Sequence, residues 1–453
     1  MRRRRPSLLK KTEISKYFEQ PRNRIIFGLG LLALAFLVYQ IPWVNERLAW
    51  RLDNYRTRIT YFFNPPDEAI FLPTVAVDFQ ATASAVAQAR TATPTISAQI
   101  TPSATLPPVA PRVVLEGINY VDQHQRWNYC GPANLTMALN FWGWDGNRDD
   151  IARVVKPGID RVDGKEDKNV MPYELENYVE NEAGMEAVVR VGGELDTIKR
   201  LVEAGFPVIV EKGYYERDYT GKLGWLGHYQ LVNGYDEAGG YFIVQDTFLE
   251  TGENGTGANM EWDYQDFLDN WRSFNYLFMV VYPDEQFDTL VETLGSWADE
   301  EWANRHALEI ADLEAQSLIG IDQFFAYFNQ GSSHVRLFEY VDAAFAYDFA
   351  FQLYAQLDDD ETSRPYRIMW YQTGPYFAYY YSGRYQDTIN LANTTLFETI
   401  DEPTLEESFY WRGLALEALG EIDNAIADYQ ETVRLNINFE PGWTQLERLG
   451  VSN

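Results

Sequence analysis

Cysteine is almost absent from this sequence, which has one such residue, Cys130, among 453. A single cysteine excludes an intramolecular disulfide, so no disulfide framework can hold the fold together. Histidine is scarce as well, with four residues in the whole chain. Because a thiol that acts as a nucleophile needs a base, Cys130 has only these few imidazoles as candidate partners.

Basic residues are few outside the N-terminus. The net charge is −30, yet residues 1–24 contain nine Lys or Arg and two Glu. The rest of the chain is therefore strongly acidic and lacks the basic patches that contact phosphates. This charge distribution excludes nucleic acid as the expected partner.

One long apolar run follows the basic residues. Residues 25–44, "IIFGLGLLALAFLVYQIPWV", would span about 30 Å as a helix, which is the thickness of a bilayer's hydrocarbon core. No small-residue cleavage site follows the run, although a cleaved signal peptide is the competing interpretation. We expect a single transmembrane signal-anchor helix in the cell membrane, with residues 1–24 as a cytoplasmic tail and the remaining chain outside.

Composition divides the remaining chain into further segments. Residues 81–111 contain 23 Ala, Thr, Ser or Pro among 31, and this predicts a disordered linker because such a segment buries too little apolar surface to become ordered. Since the length calls for two or three domains, the other predicted segments are a membrane-proximal segment at 45–80, a first domain at 113–283, a helical connector at 284–323 and a second domain at 324–449.

Hydrophobic periodicity predicts an α+β fold for residues 113–283. The segments "PANLTMALNFWGW", "MPYELENYVENEAG" and "ELDTIKRLVEAG" have helical spacing, whereas "FPVIVE", "HYQLVNGY", "YFIVQD" and "YLFMVVYP" are typical of strands. Pro132 suits the first turn of a helix, which places Cys130 at or just before a helix N-terminus. The partial positive charge at that end stabilises a thiolate.

A predicted hairpin supplies a base and a residue to orient it. His228 opens one strand, Asp246 follows the next, and the loop "DEAGG" between the strands is rich in turn residues. If Tyr235 pairs with Tyr241, Gln230 lies opposite Asp246, and His228 and Asp246 are then diagonal neighbours on one face.

An oxyanion formed at Cys130 would need hydrogen-bond donors. The backbone N–H of Cys130 at the helix start is one candidate donor. The side chain of Gln125 or of Gln123 is a candidate for the second, and the residues alone leave both open.

These segments resemble a known family of enzymes. "QRWNYCGPANLTMALNFWG", "GHYQLVNGYD" and "VQD" are similar to the papain-like bacteriocin-processing peptidases of cysteine-peptidase family 39, and especially to its 39-like branch, which lacks the attached exporter. The resemblance covers about residues 117–283. It implies a papain-like fold in which Cys130 is the nucleophile, His228 the base, Asp246 the orienting residue and Gln125 the oxyanion donor.

Residues 324–449 resemble tetratricopeptide repeats. The segments "LFEYVDAAFAYDFAF", "YSGRYQDTINLANTT" and "ALGEIDNAIADYQET" align on a bend residue, which is Phe338, Gly383 or Gly420. The resemblance implies an all-α solenoid that binds a protein partner or the substrate. Because each repeat contacts chiefly its neighbours, we expect this domain to fold without the preceding one.

Together these features predict a membrane-anchored, extracytoplasmic cysteine peptidase that uses a Cys-His-Asp triad on a peptide or protein substrate. We expect no cofactor and no metal, since the acids of "DRVDGKEDKN" lack the spacing of a calcium loop. A catalytically silent binding or scaffold protein on the same fold is one alternative. An acyl or γ-glutamyl transferase with the same triad is another.

Overall fold

The computed structural model describes most of the chain from residue 108 onward and short segments before it. The described residues are 21–39, 55, 59, 63, 70–74, 108–124, 126, 128–157, 168–217, 223–357, 364–398 and 405–451. They belong to two compact units, residues 1–60 and residues 61–453. The expected cytoplasmic tail, membrane-proximal segment and linker lie largely outside the described residues.

In the first unit, helix α1 runs over Pro21–Tyr39. It begins earlier than the predicted span at 25–44, of which residues 40–44 lie outside the described part. Its apolar stretch from residue 25 to residue 39 would be about 22 Å long, against about 30 Å for a hydrocarbon core. Within the described ranges, no helix has both the length and the apolar composition needed to cross a membrane.

An antiparallel sheet is the centre of the first domain in the second unit. Its strands are β1 (Arg112–Val114), β2 (Glu186–Arg190), β3 (Val208–Arg217), β4 (Leu223–Asp236), β5 (Tyr241–Gln245), β6 (Met260–Asp263) and β7 (Phe278–Tyr282). Their order is β2-β7-β3-β4-β5-β6, and β1 pairs with β4. The α+β prediction for this region is confirmed, and the four predicted strands are β3, β4, β5 and β7. The strands β1, β2 and β6 were not predicted, because each combines at most three apolar residues with charged ones, whereas β5 and β7 contain longer apolar runs.

Five α-helices accompany the sheet in the described part of the chain. They are α2 (Cys130–Phe141), α3 (Arg148–Val155), α4 (Pro172–Tyr178), α5 (Leu195–Glu203) and α6 (Tyr264–Arg272). Helix α2 contains no charged residue, is buried over its first ten residues and packs on β4. A Cβ added to Gly131 would meet the Tyr229 ring at 3.4 Å, so the glycine lets the first turn approach the strand closely.

Every described element after β7 is helical. The main helices are α7 (Phe287–Leu294), α8 (Glu300–Ser317), α9 (Gly320–Arg336), α10 (Tyr340–Gln356), α11 (Ile368–Tyr371), α12 (Gly374–Tyr381), α13 (Tyr385–Asn393), α14 (Glu406–Ala418), α15 (Ile422–Leu435) and α16 (Glu440–Arg448). The three predicted bend residues lie at corners between helices with positive φ angles, 60° at Phe338, 77° at Gly383 and 86° at Gly420. The resemblance to tetratricopeptide repeats itself stays a prediction.

One hydrophobic core joins the part of the chain from β1 to β7, here called the sheet domain, to the helices α7 to α16, here called the helical region. It contains Leu135 of α2, Tyr229 of β4, Phe324 of α9, Tyr347 of α10 and Trp411 of α14. A shared core argues against the expectation that the helical region folds alone, because separating the two parts would expose side chains that both use for burial.

Buried charges add to the contact between the two parts. Lys168 contacts Glu174, and its Nζ lies 3.0 Å from a carboxylate oxygen of Glu406 in α14. The hydroxyl of Tyr173 donates a hydrogen bond to Glu407 at 2.8 Å. Burial would lower the pKa of Lys168, but the two carboxylates outweigh that effect and raise it. The segment that leads into α4 is thereby tied to the helical region.

Candidate active site

Helix α2 presents Cys130 as its first residue. The N-terminal end of a helix has unpaired N–H groups and a partial positive charge, and the backbone N–H groups of Gly131 and Tyr229 donate toward the thiol. Burial of Cys130 raises the pKa of its thiol. The hydrogen bond to His228, the charge of that ring and the backbone donors outweigh burial and hold the pKa below its ordinary value.

His228 and Asp246 lie side by side, and both are buried. His228 Nε2 donates to Asp246 Oδ1 at 3.3 Å. Since Nε2 faces the carboxylate, Nδ1 is the ring nitrogen left for the thiol of Cys130. The structure therefore brings three of the four predicted site residues together in the order thiol, imidazole, carboxylate.

A β-bulge explains how the hairpin brings them together. The predicted pair Tyr235–Tyr241 is wrong, because the register of β4 against β5 shifts by one residue just after Val232. On the other side of this bulge, Leu231 pairs with Gln245, which is the register that the prediction assumed. The predicted pairing therefore fails near the turn and holds near the candidate site.

The Asp246 carboxylate receives further hydrogen bonds. Gln230 Nε2 donates to Oδ2 at 2.9 Å, and the backbone N–H groups of Phe248 and Leu249 donate to Oδ1 at 3.0 and 2.9 Å. Burial raises the pKa of Asp246, but the charge and hydrogen bond of His228 outweigh it and hold that pKa well below its usual range. Burial would lower the pKa of His228, and Asp246 instead raises it to about 9. At neutral pH these shifts favour a thiolate and an imidazolium beside an ionised carboxylate.

Asn134 ties the helix of the thiol to the strand of the imidazole. Its Nδ2 donates to the carbonyl oxygen of Cys130 at 2.9 Å and to that of Tyr229 at 2.8 Å. Tyr229 directly follows His228 in β4, and Asn134 is fully buried. One amide therefore fixes the distance between the backbones that carry the two reactive groups.

Of the two glutamine side chains that are candidate oxyanion donors, Gln125 lies outside the described residues. Gln123 is described, and its Oε1 accepts a hydrogen bond from Thr247 Oγ1 at 2.7 Å. Its backbone N–H also donates to the carbonyl of Thr247 at 2.8 Å. Gln123 thus ties the segment before α2 to the residue after Asp246.

Two charged residues of β3 near the site were missed by the sequence reasoning. In the register of β3 and β4, Glu211 pairs with Tyr229 and Lys212 with His228. Lys212 Nζ lies 3.2 Å from the ring centroid of Trp262 and has no hydrogen-bond partner among the described residues. Burial lowers the pKa of Lys212 to about 7 and raises that of Glu211 well above its usual range. The signal in the sequence is the adjacent Glu and Lys inside the otherwise uncharged run "VIVEKGYY".

A group of residues of metal-ligand type lies elsewhere. Within the described ranges, His334, Glu339 and Asp342 are close enough together to hold an ion, and they lie where α9 ends and α10 begins. His334 Nδ1 is 2.7 Å from a carboxylate oxygen of Glu339. Most of the loop "DRVDGKEDKN" lies outside the described residues.

The sheet domain that carries these residues has known relatives. Residues 115–279 match the Peptidase_C39 like family. A crystal structure from Bacillus anthracis, described as that of a C39-like peptidase, is similar with 15% identity and a TM-score of 0.29, over 38% of this chain and 98% of that chain. No curated protein matches this sequence. The match to the family model confirms the predicted resemblance to family 39-like peptidases for residues 115–279, which include Cys130, His228 and Asp246.

Proposed function

We propose that this protein is a cysteine peptidase that hydrolyses peptide bonds in a peptide or protein substrate. Cys130 is the nucleophile, His228 the general acid and base, and Asp246 the residue that orients the imidazole. The observation that carries the proposal is the buried arrangement of thiol, imidazole and carboxylate at the start of α2.

The reaction has two steps. The Cys130 thiolate attacks the carbonyl carbon of the scissile bond, and the His228 imidazolium gives its proton to the leaving amine as the C–N bond breaks. The resulting thioester is then attacked by water, from which neutral His228 takes a proton, and the thiolate leaves. In the proposal, the backbone N–H of Cys130 and the side chain of Gln125 bind the oxyanion of both tetrahedral intermediates.

Two further parts of the proposal come from the sequence. The helical region, with its resemblance to tetratricopeptide repeats, contacts the substrate or a protein partner. The chain is held at the cell membrane through residues 25–44, with the sheet domain outside the cytoplasm. Added protease should then release the sheet domain from intact cells, and protection until lysis would contradict this orientation.

The first prediction is that Cys130 is alkylated by iodoacetamide well below the pH at which an ordinary thiol reacts. A thiol with a pKa of about 8.5 is about 3% ionised at pH 7, whereas His228 lowers the pKa of Cys130. In His228→Ala burial is no longer opposed by the imidazole, so the midpoint of labelling should rise to about 8.5 or above. Since Cys130 is the only cysteine, labelling reports on this thiol alone.

The matched control is His306→Ala, because His306 is bound to Glu194 at 3.0 Å and lies in α8. It should leave the labelling profile unchanged. A wild-type midpoint near 8.5 that neither substitution moves would contradict an activated thiol and favour the binding or scaffold alternative.

Analysis of the reaction products distinguishes a hydrolase from an acyl transferase. With a peptide library in H₂¹⁸O, a peptidase introduces one ¹⁸O atom into each new C-terminal carboxyl group, which mass spectrometry detects. Products that carry an added amine instead of ¹⁸O would show a transferase. Cys130→Ser should give neither product.

A further inference from the structure

Tyr371 belongs to the helical region, yet it lies against the strand that carries His228. It is the last residue of α11, and it is buried. Its ring packs edge-on against Trp225 of β4, with centroids 5.5 Å apart, and against Phe274 at 6.0 Å. Three aromatic rings from the two parts of the protein thus meet beside the candidate active site.

Tyr371 packs against Gly227, the residue directly before His228. A Cβ added to Gly227 would lie 2.6 Å from Tyr371 Cδ1, far inside van der Waals contact. The backbone N–H of Gly227 also donates toward the Tyr371 hydroxyl. The Tyr371 ring and the Phe274 ring, which would lie 2.7 Å from the same Cβ, together occupy the space that a side chain at Gly227 would need. The tyrosine therefore helps to limit how the strand can move at His228.

Two phenols lie close to the reactive pair. Burial raises the pKa of Tyr371 and of Tyr214, and the negative charge of a Cys130 thiolate contributes to both increases. Tyr214 of β3 also packs edge-on against His228, with centroids 5.8 Å apart. Tyr214 comes from the sheet domain, whereas Tyr371 is brought to the same place by the helical region.

Both chain neighbours of Tyr371 are held by residues of the sheet domain. Asn169 Nδ2 donates to the carbonyl oxygen of Trp370 at 3.3 Å. Gln372 Nε2 donates to the carbonyl oxygen of Ser273 at 2.7 Å. Tyr371 is therefore fixed from either side and cannot slide along β4 without breaking these bonds.

We propose that Tyr371 is a positioning residue of the candidate active site, which holds Gly227 and His228 at the distance from Cys130 that the thiolate–imidazolium pair requires. The helical region thereby completes the site of the sheet domain. This inference rests on the proposed function, because it assigns Tyr371 a role in the same Cys130–His228 pair.

The test is the pH profile of iodoacetamide labelling in the full-length Tyr371→Phe variant. In this variant the backbone N–H of Gly227 loses the Tyr371 hydroxyl as an acceptor. We expect the contact between His228 and Cys130 to weaken and the pH midpoint of labelling to move upward. A shift of half a pH unit corresponds to labelling about threefold slower at a pH below the midpoint. The shift should be smaller than in His228→Ala, which removes the imidazole altogether.

Tyr376→Phe is the matched control. Tyr376 is fully buried in the neighbouring helix α12, and its hydroxyl lies 2.7 Å from Ser408 Oγ. This variant also loses a buried hydroxyl contact, but one that is made to Ser408 of the helical region and not to the strand of His228. It should label like the wild type at every pH even if its melting temperature falls as much as that of Tyr371→Phe.

Gly227→Ala provides a second measurement if Tyr371→Phe does not fold. The added methyl group must displace the Tyr371 ring, the Phe274 ring or the strand, so the pH midpoint of labelling should again rise. Wild-type labelling profiles in Tyr371→Phe, or in Gly227→Ala when only that variant folds, would overturn the positioning role. A wild-type midpoint near 8.5 would instead overturn the proposed function, so the two failures are distinguishable.

Discussion

Lys212 places an ammonium group in the interior of the sheet domain. It is 1% exposed, and its contact with the Trp262 ring replaces only part of the hydration that burial removes. Burial lowers the pKa of Lys212 and the negative charge of Asp246 raises it. Burial is the larger effect, so the pKa falls to about 7. A charged side chain is thus kept next to the His228–Asp246 pair at a cost in stability.

The second prediction is that Lys212→Met raises the free energy of unfolding by about 1–4 kcal/mol, as replacement of buried charges by apolar residues often does. The pKa of Lys212 is lowered on folding, so its penalty is complete below about pH 7 and disappears toward pH 10.5. The gain should therefore be largest at neutral and acidic pH. Urea unfolding at several pH values measures it.

Lys199→Met is the control for this prediction. Lys199 is also buried, but its Nζ is 2.8 Å from Glu237 and 3.4 Å from Asp196. Removing it breaks existing ion pairs, so this variant should lose stability. If Lys212→Met lost stability as well, the ammonium of Lys212 would have a stabilising partner. This result would refute the predicted free-energy cost of burying it.

At the scale of elements, the candidate site depends on how helix α2 is joined to strand β4. Asn134 makes that connection through the carbonyl oxygens of Cys130 and Tyr229. Its own Oδ1 is buried without a hydrogen-bond partner in the described part of the chain. The two hydrogen bonds that Asn134 donates therefore account for its contribution to stability, since burial of an unpaired acceptor oxygen costs free energy.

The third prediction is that Asn134→Leu costs about 1–3 kcal/mol, because buried carbonyl groups lose a donor, and that it slows alkylation of Cys130 at pH 6.5. Without the amide, the first turn of α2 and the strand of His228 can separate. Chemical denaturation and labelling rates measure the two effects independently.

Asn304→Leu is the matched control for the tie between α2 and β4. Asn304 in α8 is also buried, and among the described residues its Oδ1 has no hydrogen-bond partner. Its Nδ2 donates to the carbonyl oxygen of Glu300 in its own helix at 2.9 Å. It should affect stability less and labelling not at all. Equal labelling rates in Asn134→Leu and the wild type would show that the reactivity of the Cys130 thiol does not depend on the hydrogen bonds of Asn134.

At the scale of the whole molecule, the sheet domain and the helical region depend on each other for burial. Phe325 of α9 and Tyr371 of α11 pack on Trp225, with ring centroids 5.7 and 5.5 Å apart, and Tyr371 also packs on Phe274. Exposure of four such rings would cost about 6–12 kcal/mol. That amount is comparable to the whole stability of a typical domain.

The fourth prediction is that fragments covering residues 108–283 and 284–453 do not melt cooperatively on their own. The helical fragment should retain circular dichroism of helices but lose it gradually on heating, because its part of the shared core is exposed. Residues 61–453, which contain the whole second unit, should melt in one sharp transition. A sharp melting transition in the fragment 284–453 would contradict this prediction and support the expectation that the helical region folds without the sheet domain.

The sequence by itself determined features that depend on a few neighbouring residues. Pro132 marks the start of α2 at Cys130, because proline suits the first turn of a helix. Gly383 and Gly420 mark corners between helices, since positive φ angles favour glycine. Alternation along a strand likewise puts residues two apart on one face.

Only the tertiary structure decided which distant segments meet. The bulge after Val232 shifts the register between the turn and Asp246 by one residue, and the hydrophobic pattern of the two strands did not predict it. The ion pair of Lys168 with Glu406 and the seating of Tyr371 on Gly227 join residues far apart in the chain. Periodicity states which face of an element is buried, but not what covers that face. The covering element is determined by the shapes and charges of the packed elements, because most other arrangements would leave cavities or unpaired buried charges.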